Sequence, residues 1–205
     1  LLGFEYLYNG VDQYDEDGIC FSFEERAADI RDAAESFGLD RWGEYVESGR
    51  ITVFDKEMLI DSEDYNASLE PLLTELARED RYDRLLFDSL NMFTMFMAED
   101  RTKRQDLLKL TEVLSENGLT TLLTKEQGDV FAHSDVDVEN FLAGGSLYLF
   151  QRSTEQSVRR YLWVEKMRKH DIDNDIFPME IEHGGFTVHE HASQFSMMND
   201  PVSPF

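Results

Sequence analysis

The chain has 205 residues, 41% of them apolar and fifteen of them Phe, enough to bury one core of ordinary size. Its 43 acidic against 19 basic residues give a formal net charge of −24, a field that repels nucleic acid and anionic membrane and argues against a DNA-binding face. No apolar run approaches the roughly 18 residues of a membrane span, and the opening Leu1-Leu2-Gly3-Phe4 meets Glu5 at once, so a cytoplasmic protein with no membrane partner is expected.

The acids are spread along the chain and interleaved with apolar positions, and the cations are mostly arginine. That texture predicts the solvated surface of a halophilic protein, with its self-repulsion screened at working salt. The single Cys20 cannot form an internal disulfide and reads as a small buried hydrophobe.

Leu1 to Asn9 carries apolar residues at helical spacing without a preceding cap, so the chain opens in a helix. Gly18 to Phe23 reads as a buried strand, and Glu25 to Phe37 as a helix stopped by Gly38. Further on, Arg50 to Phe54 predicts a strand, Leu69 to Arg81 a helix, and Leu85 to Asp88 a buried strand. Arg101 to Asn117 predicts a helix stopped by Gly118, and Thr120 to Thr124 a strand. This alternation predicts an α/β fold with a mostly parallel sheet covered on both faces. After Gly144-Gly145 the texture changes. Ser146 to Gln151, Tyr161 to Lys166, Met179 to Glu182 and Phe186 to His189 follow one another as short strands, which predicts an antiparallel extension closing the sheet. No repeat or flexible linker divides the chain, so residues 1–191 are expected to form one core and 192–205 a tail.

Ligands of open parallel sheets bind beyond the carboxyl ends of the strands. Two polar groups stand there. Ser22-Phe23-Glu24-Glu25 ends one strand, and Leu85-Leu86-Phe87-Asp88-Ser89 ends another with an acid after an apolar run. A carboxylate at the second place suits a magnesium ion held through its water shell, and one at the first could orient an attacking water. Each pattern also has a plainer reading, as an acid favoured at a helix start or as a strand terminator.

In order along the chain, these segments resemble the KaiC-like branch of the RecA-type ATPases. Leu2-Gly3-Phe4-Glu5-Tyr6-Leu7-Tyr8-Asn9-Gly10 is similar to the helix that follows the family's phosphate loop. Phe21-Ser22-Phe23-Glu24-Glu25 resembles its strand with the catalytic glutamates, Phe37-Gly38-Leu39-Asp40 its FGWD segment, and Phe87-Asp88-Ser89 its Walker B. Thr120 to Glu126 resembles its sensor strand. Val164-Glu165-Lys166-Met167-Arg168 resembles its K-x-R strand, and Phe177-Pro178-Met179-Glu180-Ile181 with Gly185-Phe186-Thr187-Val188 its closing strands.

The resemblance implies a RecA-like three-layer fold, ATP and magnesium as ligands, and a ring-forming homo-oligomer, a hexamer, with a regulatory protein partner. Glu24 or Glu25 would activate or polarise the water, Asp88 would act through magnesium, and Ser89 and Thr124 would sense the γ-phosphate. Lys166 and Arg168 would reach the nucleotide of the neighbouring subunit as a lysine/arginine finger. The plainer readings are strand-end hydroxyls for Ser89 and Thr124 and surface charges paired with the abundant acids for Lys166 and Arg168. His183, His189 and His191 lack a completing cysteine or acid and read as solvated edge residues rather than metal ligands.

The sequence departs from the family pattern in three places. No G-x-x-x-x-G-K-[ST] segment occurs, and since the helix after such a loop begins at Leu1, the sequence is expected to start just past it. The family's V-A-D-G is here Leu142-Ala143-Gly144-Gly145, and its G-T-x-H is Lys169-His170-Asp171-Ile172. Two functions are therefore expected to compete: an ATP-hydrolysing ring subunit with a signalling or regulatory role, and a non-catalytic regulatory or interaction domain on the same scaffold. A DNA recombination ATPase is disfavoured by the acidic charge.

Overall fold

Gly18–Ser22 forms β1 and is buried at every position, as a strand flanked by strands and covered on both faces must be. The computed structural model describes residues 1–60, 81–95, 107–108, 110–114, 116, 118–128, 140, 142–153 and 157–190. They fall into two units, residues 1–127 with 183–185, and residues 128–182 with 186–205.

In the first unit α1 (Leu2–Tyr14) precedes β1, and α2 (Ala27–Ser36) and α3 (Trp42–Glu47) follow it. Next come β2 (Ile51–Phe54), α4 (Lys56–Ile60), β3 (Arg84–Asp88), α5 (Leu90–Met95) and β4 (Thr120–Leu123). The strands lie in the order β2-β1-β3-β4, all parallel, with Gly18 opposite both Ile51 and Arg84, and Arg84 opposite Thr120. Strand alternation then sorts the side chains. Cys20 and Leu86 join Phe4, Leu7 and Val11 of α1, Ile30 and Ala34 of α2, and Trp42 and Tyr45 of α3 in one buried cluster. Phe21 and Phe87 belong to the alternate positions, where Phe21 stacks on Phe54 at 5.0 Å and Phe23 meets Phe87 at 4.9 Å.

Helix α1 runs past the predicted end at Asn9, and Gly10 inside it is a site of close approach. A Cβ there would stand 2.7 Å from Arg84 Cδ, and Arg84 is itself held by the Tyr6 carbonyl at 2.7 Å and by Glu16. The predicted stop after α2 is observed, with Gly38 at φ 92° and the Phe37 carbonyl accepting from the Gly184 amide at 2.8 Å. The short helices α3, α4 and α5 were not expected, since pieces of five or six residues carry too little pattern to show a 3.6-residue period. The predicted helix Leu69–Arg81 lies outside the described residues except for Arg81, which is not helical. Within Arg101–Asn117, the described residues from 107 to 116 are helical, with Leu107, Leu110 and Leu114 buried.

In the second unit β5 (Gly145–Ser153), β6 (Val158–Met167), β7 (Ile176–Glu182) and β8 (Gly185–Val188, all but its first residue) form the order β5-β6-β7-β8, with β5–β6 and β6–β7 antiparallel. Among the described residues these strands make a four-stranded sheet, the antiparallel part that the sequence predicts. Strands β5, β6 and β7 are longer than expected, and β8 starts one residue early. Pro178 lies within β7 and pairs opposite Tyr161, and its carbonyl accepts the His189 amide at 2.9 Å. No helix among the described residues is long and apolar enough to cross a membrane.

Candidate functional site

The parallel register brings Ser22 of β1 opposite Asp88 of β3, so the chain leaves both strands at one end of the sheet. Phe23 donates its amide to the Asp88 carbonyl at 2.7 Å, Thr124 its amide to the Phe87 carbonyl at 3.0 Å, and Leu90 its amide to the Thr124 carbonyl at 2.9 Å. These bonds bind the segments after β1, β3 and β4 together just beyond the ladder. The Asp88–Ser89 peptide bond is cis.

Two hydroxyl–carboxylate pairs result. Ser89 Oγ donates to the Glu24 carboxylate at 2.5 Å, and Thr124 Oγ1 donates to the Asp88 carboxylate. Ser89 is buried and Asp88 and Thr124 are half-buried, whereas Glu24 and Glu25 are exposed. Glu25 donates its amide to Ser22 Oγ at 3.2 Å. The Cys20 thiol inside β1 is pushed above its ordinary range by burial first, and then by the negative charges of Asp88 and Glu25.

Glu24, Asp88, Ser89 and Thr124 are thus joined in pairs, with Glu25 beside them. Lys166 and Arg168 belong to the second unit. Lys166 lies half-buried on β6 opposite Ser146, next to a bulge in that pairing, and donates its ammonium to the Asn140 carbonyl. Asn140 is a knot in this unit, its amide donating to Glu165 at 2.7 Å and its oxygen accepting from Ser146 at 2.5 Å. Arg168, exposed, follows the end of β6 with its backbone amide on the Gly144 carbonyl at 2.8 Å.

The donor set after β1, β3 and β4 is made only of oxygens, the hard ligands that suit magnesium. No group of three or more His, Cys, Asp or Glu placed to cage a metal occurs among the described residues. The half-buried Asp88 carboxylate is of the kind that suits magnesium, an ion that keeps several waters and takes one or two carboxylates together with substrate phosphates. His189 pairs with Glu180 at 3.3 Å, and His183 Nδ1 lies 3.3 Å from the Ser36 carbonyl, which agrees with edge roles. His191 lies outside the described residues.

Sequence reading missed Asp55 and Lys56, which follow β2. The signal was available, because Ile51-Thr52-Val53-Phe54-Asp55 repeats the pattern of an apolar run closed by an acid that singled out Asp88.

A model of the KaiC ATPase family matches residues 1–193. The chain belongs to the KaiC family. It is 27% identical over 196 residues to the circadian clock oscillator protein KaiC of Parathermosynechococcus lividus, covering 92% of this chain and 36% of that one. It is also 27% identical over 200 residues to the circadian clock protein KaiC2 of a Synechocystis species, covering 92% of this chain and 34% of that one. The chain therefore spans little more than a third of the length of these KaiC relatives. Among solved structures, the KaiC-like protein of the hyperthermophilic archaeon Pyrococcus horikoshii superposes with a TM-score of 0.76 at 29% identity, over 90% of this chain and 81% of that chain. The fold is accordingly that of a KaiC-like, RecA-type ATPase, an α/β architecture with a parallel sheet and an antiparallel one.

Proposed function

We propose that the protein carrying this chain binds ATP with magnesium and hydrolyses it, and that its nucleotide state serves a regulatory protein partner. The observation that carries this reading is the pairing of Ser89 with Glu24 and of Thr124 with Asp88 at the carboxyl ends of neighbouring parallel strands, in a chain of this family. A serine or threonine hydroxyl that donates to a carboxylate fixes which oxygen faces outward, and so orients the group before substrate arrives.

In this reading Asp88 holds a hydrated magnesium ion, and Glu24 or Glu25 accepts the hydrogen of the attacking water and aligns it. Magnesium, when bound, offsets charge on the phosphoryl oxygens. Ser89 and Thr124 hold the two carboxylates and sense the γ-phosphate. Subunits form a ring, a hexamer, and Lys166 and Arg168 of one subunit stabilise charge at the nucleotide of the next. The expected tail, residues 192–205, lies outside the described residues, as does His191. The acidic surface is that of a halophilic, cytoplasmic protein.

A second reading, a non-catalytic regulatory domain, is favoured by one observation. The ammonium of Lys166 is already taken by a carbonyl of its own chain, which costs a finger residue its reach. ATP hydrolysis by the full-length protein, with Asp88→Asn and Glu24→Gln as controls, separates the two. Magnesium-dependent turnover lost in the variants supports the first reading, and ATP bound without turnover in the unaltered protein supports the second.

A further inference from the structure

Asp55 is only 8% exposed, and its carboxylate is fully engaged with backbone amides. Oδ2 accepts from Ala27 at 2.9 Å, and Oδ1 accepts from Glu57 at 3.1 Å and Met58 at 3.2 Å. Ala27 opens α2, whose N-cap position is occupied by Arg26, which makes no side-chain cap bond. The orphan amides of a helix start need an acceptor, and here it arrives from 28 residues along the chain. Lys56 adds two more ties: its backbone amide reaches the Glu25 carbonyl at 3.5 Å, and its ammonium donates to the Glu24 carbonyl at 2.9 Å.

These ties from the end of β2 converge on residues 24–27, the segment that carries the two glutamates out of β1 and into α2. Glu24 and Glu25 are exposed, so core packing does not fix them. Their position is set by Ser22, Ser89 and this clamp. A water-orienting carboxylate must be held to within about 0.5 Å, and a displacement of about 1 Å can cost on the order of 100-fold in rate.

We propose that Asp55 and Lys56 are positioning residues that clamp the segment 24–27 and so fix Glu24 and Glu25 for hydrolysis. The inference rests on the reading of those glutamates given above and adds residues that act through them. Lys56, among the described residues, pairs with no carboxylate. It holds two backbone carbonyls of the segment, one through its ammonium and one through its amide.

The test uses the full-length protein with Lys56→Met, Lys56→Arg and Asp55→Asn, beside Glu24→Gln and Glu25→Gln. Without nucleotide, hydrogen–deuterium exchange at Glu25 and Ala27 should quicken about tenfold in Lys56→Met, with exchange in β1 and β3 and the melting temperature unchanged. ATP turnover should show kcat lowered about tenfold at unchanged KM. Lys56→Arg, which keeps a cationic donor for the Glu24 carbonyl, should restore most of both. Asp55→Asn keeps one acceptor oxygen and should loosen the same amides further.

Unchanged exchange and turnover in Lys56→Met and Asp55→Asn, with at least one glutamine variant impaired, overturns the clamp and leaves the site standing. Faster exchange throughout β1 and β3 with a lowered melting temperature also overturns it, because the residues would then act only on stability. If neither glutamine variant loses turnover, the site reading fails and the clamp fails with it.

Discussion

Ser89, buried at the end of β3, donates its hydroxyl to the carboxylate of the exposed Glu24 that follows β1, at 2.5 Å. A hydrogen bond to a charged acceptor is worth about 1.5–3 kcal/mol when sheltered, and an exposed acceptor retains only part of that. Ser89→Ala should therefore lower kcat about fivefold by freeing the carboxylate while leaving the melting temperature nearly unchanged. Steady-state kinetics beside a thermal melt decide it; a large loss of stability with normal kcat would assign Ser89 to the fold alone.

Thr124→Val removes the donor to Asp88 and keeps the shape of the side chain. The expected outcome is weaker magnesium affinity, seen as a several-fold higher magnesium concentration for half-maximal ATP binding in titration calorimetry. Asp88→Asn should weaken magnesium–nucleotide binding and turnover together, whereas Glu24→Gln and Glu25→Gln should spare binding while at least one lowers the rate.

Mixing subunits tests the finger. Arg168→Ala should reduce turnover on the order of 10³-fold if the finger is fully used, less if Lys166 shares its task. Rings made from Arg168→Ala subunits and subunits with both glutamates replaced should regain some activity, because mixed interfaces pair an intact finger with intact glutamates. Co-assembled rings that stay inactive would remove the trans-acting role.

The net charge of −24 predicts a salt response. Self-repulsion weakens as the Debye length falls from about 10 Å at 0.1 M to about 3 Å at 1 M. The melting temperature should climb between those salt concentrations, and a flat profile would sink the halophilic reading.

Alkaline stability follows from two tyrosines. Tyr6 donates to the Thr120 carbonyl at 2.6 Å, and its hydroxyl is pushed up to about 12, by burial above all, with Arg84 pulling it down and Glu16 adding to the rise. Tyr45 is also pushed up to about 12, by burial and by its bond to Asp12. Unfolded, such groups ionise near pH 10. Above that pH the unfolded chain gives up protons the folded chain keeps, so stability is lost as pH rises from about 10 towards 12. Denaturant midpoints should drop over that window, and Tyr6→Phe should flatten the slope.

The strands that carry the candidate site were legible because their signal is local: an apolar run closed by an acid marks Leu85 to Asp88, and the buried run Gly18 to Phe23 needs no partner to be recognised. What the sequence hid depends on distant partners. The continuation of α1 sets Gly10 against Arg84, which fills the space where a Cβ would stand. The start of α2 takes the acceptor for its Ala27 amide from Asp55, 28 residues away. Lys166 was legible as a motif, but its engagement with Asn140 depends on a residue far from it in sequence. Leu69 to Arg81 showed a helical period, yet nearly all of it lies outside the described residues.

The buried cluster of the parallel sheet is made from Phe4, Leu7, Cys20, Ile30, Trp42, Leu86 and their neighbours, and neither Glu24 nor Glu25 contributes to it. In the proposed reading, chemistry and scaffold can therefore be lost independently. Isosteric replacement of the exposed acids would leave the core intact, so descendants of such a domain could turn from enzyme to silent nucleotide reader, or back, by very few substitutions and without an unstable intermediate.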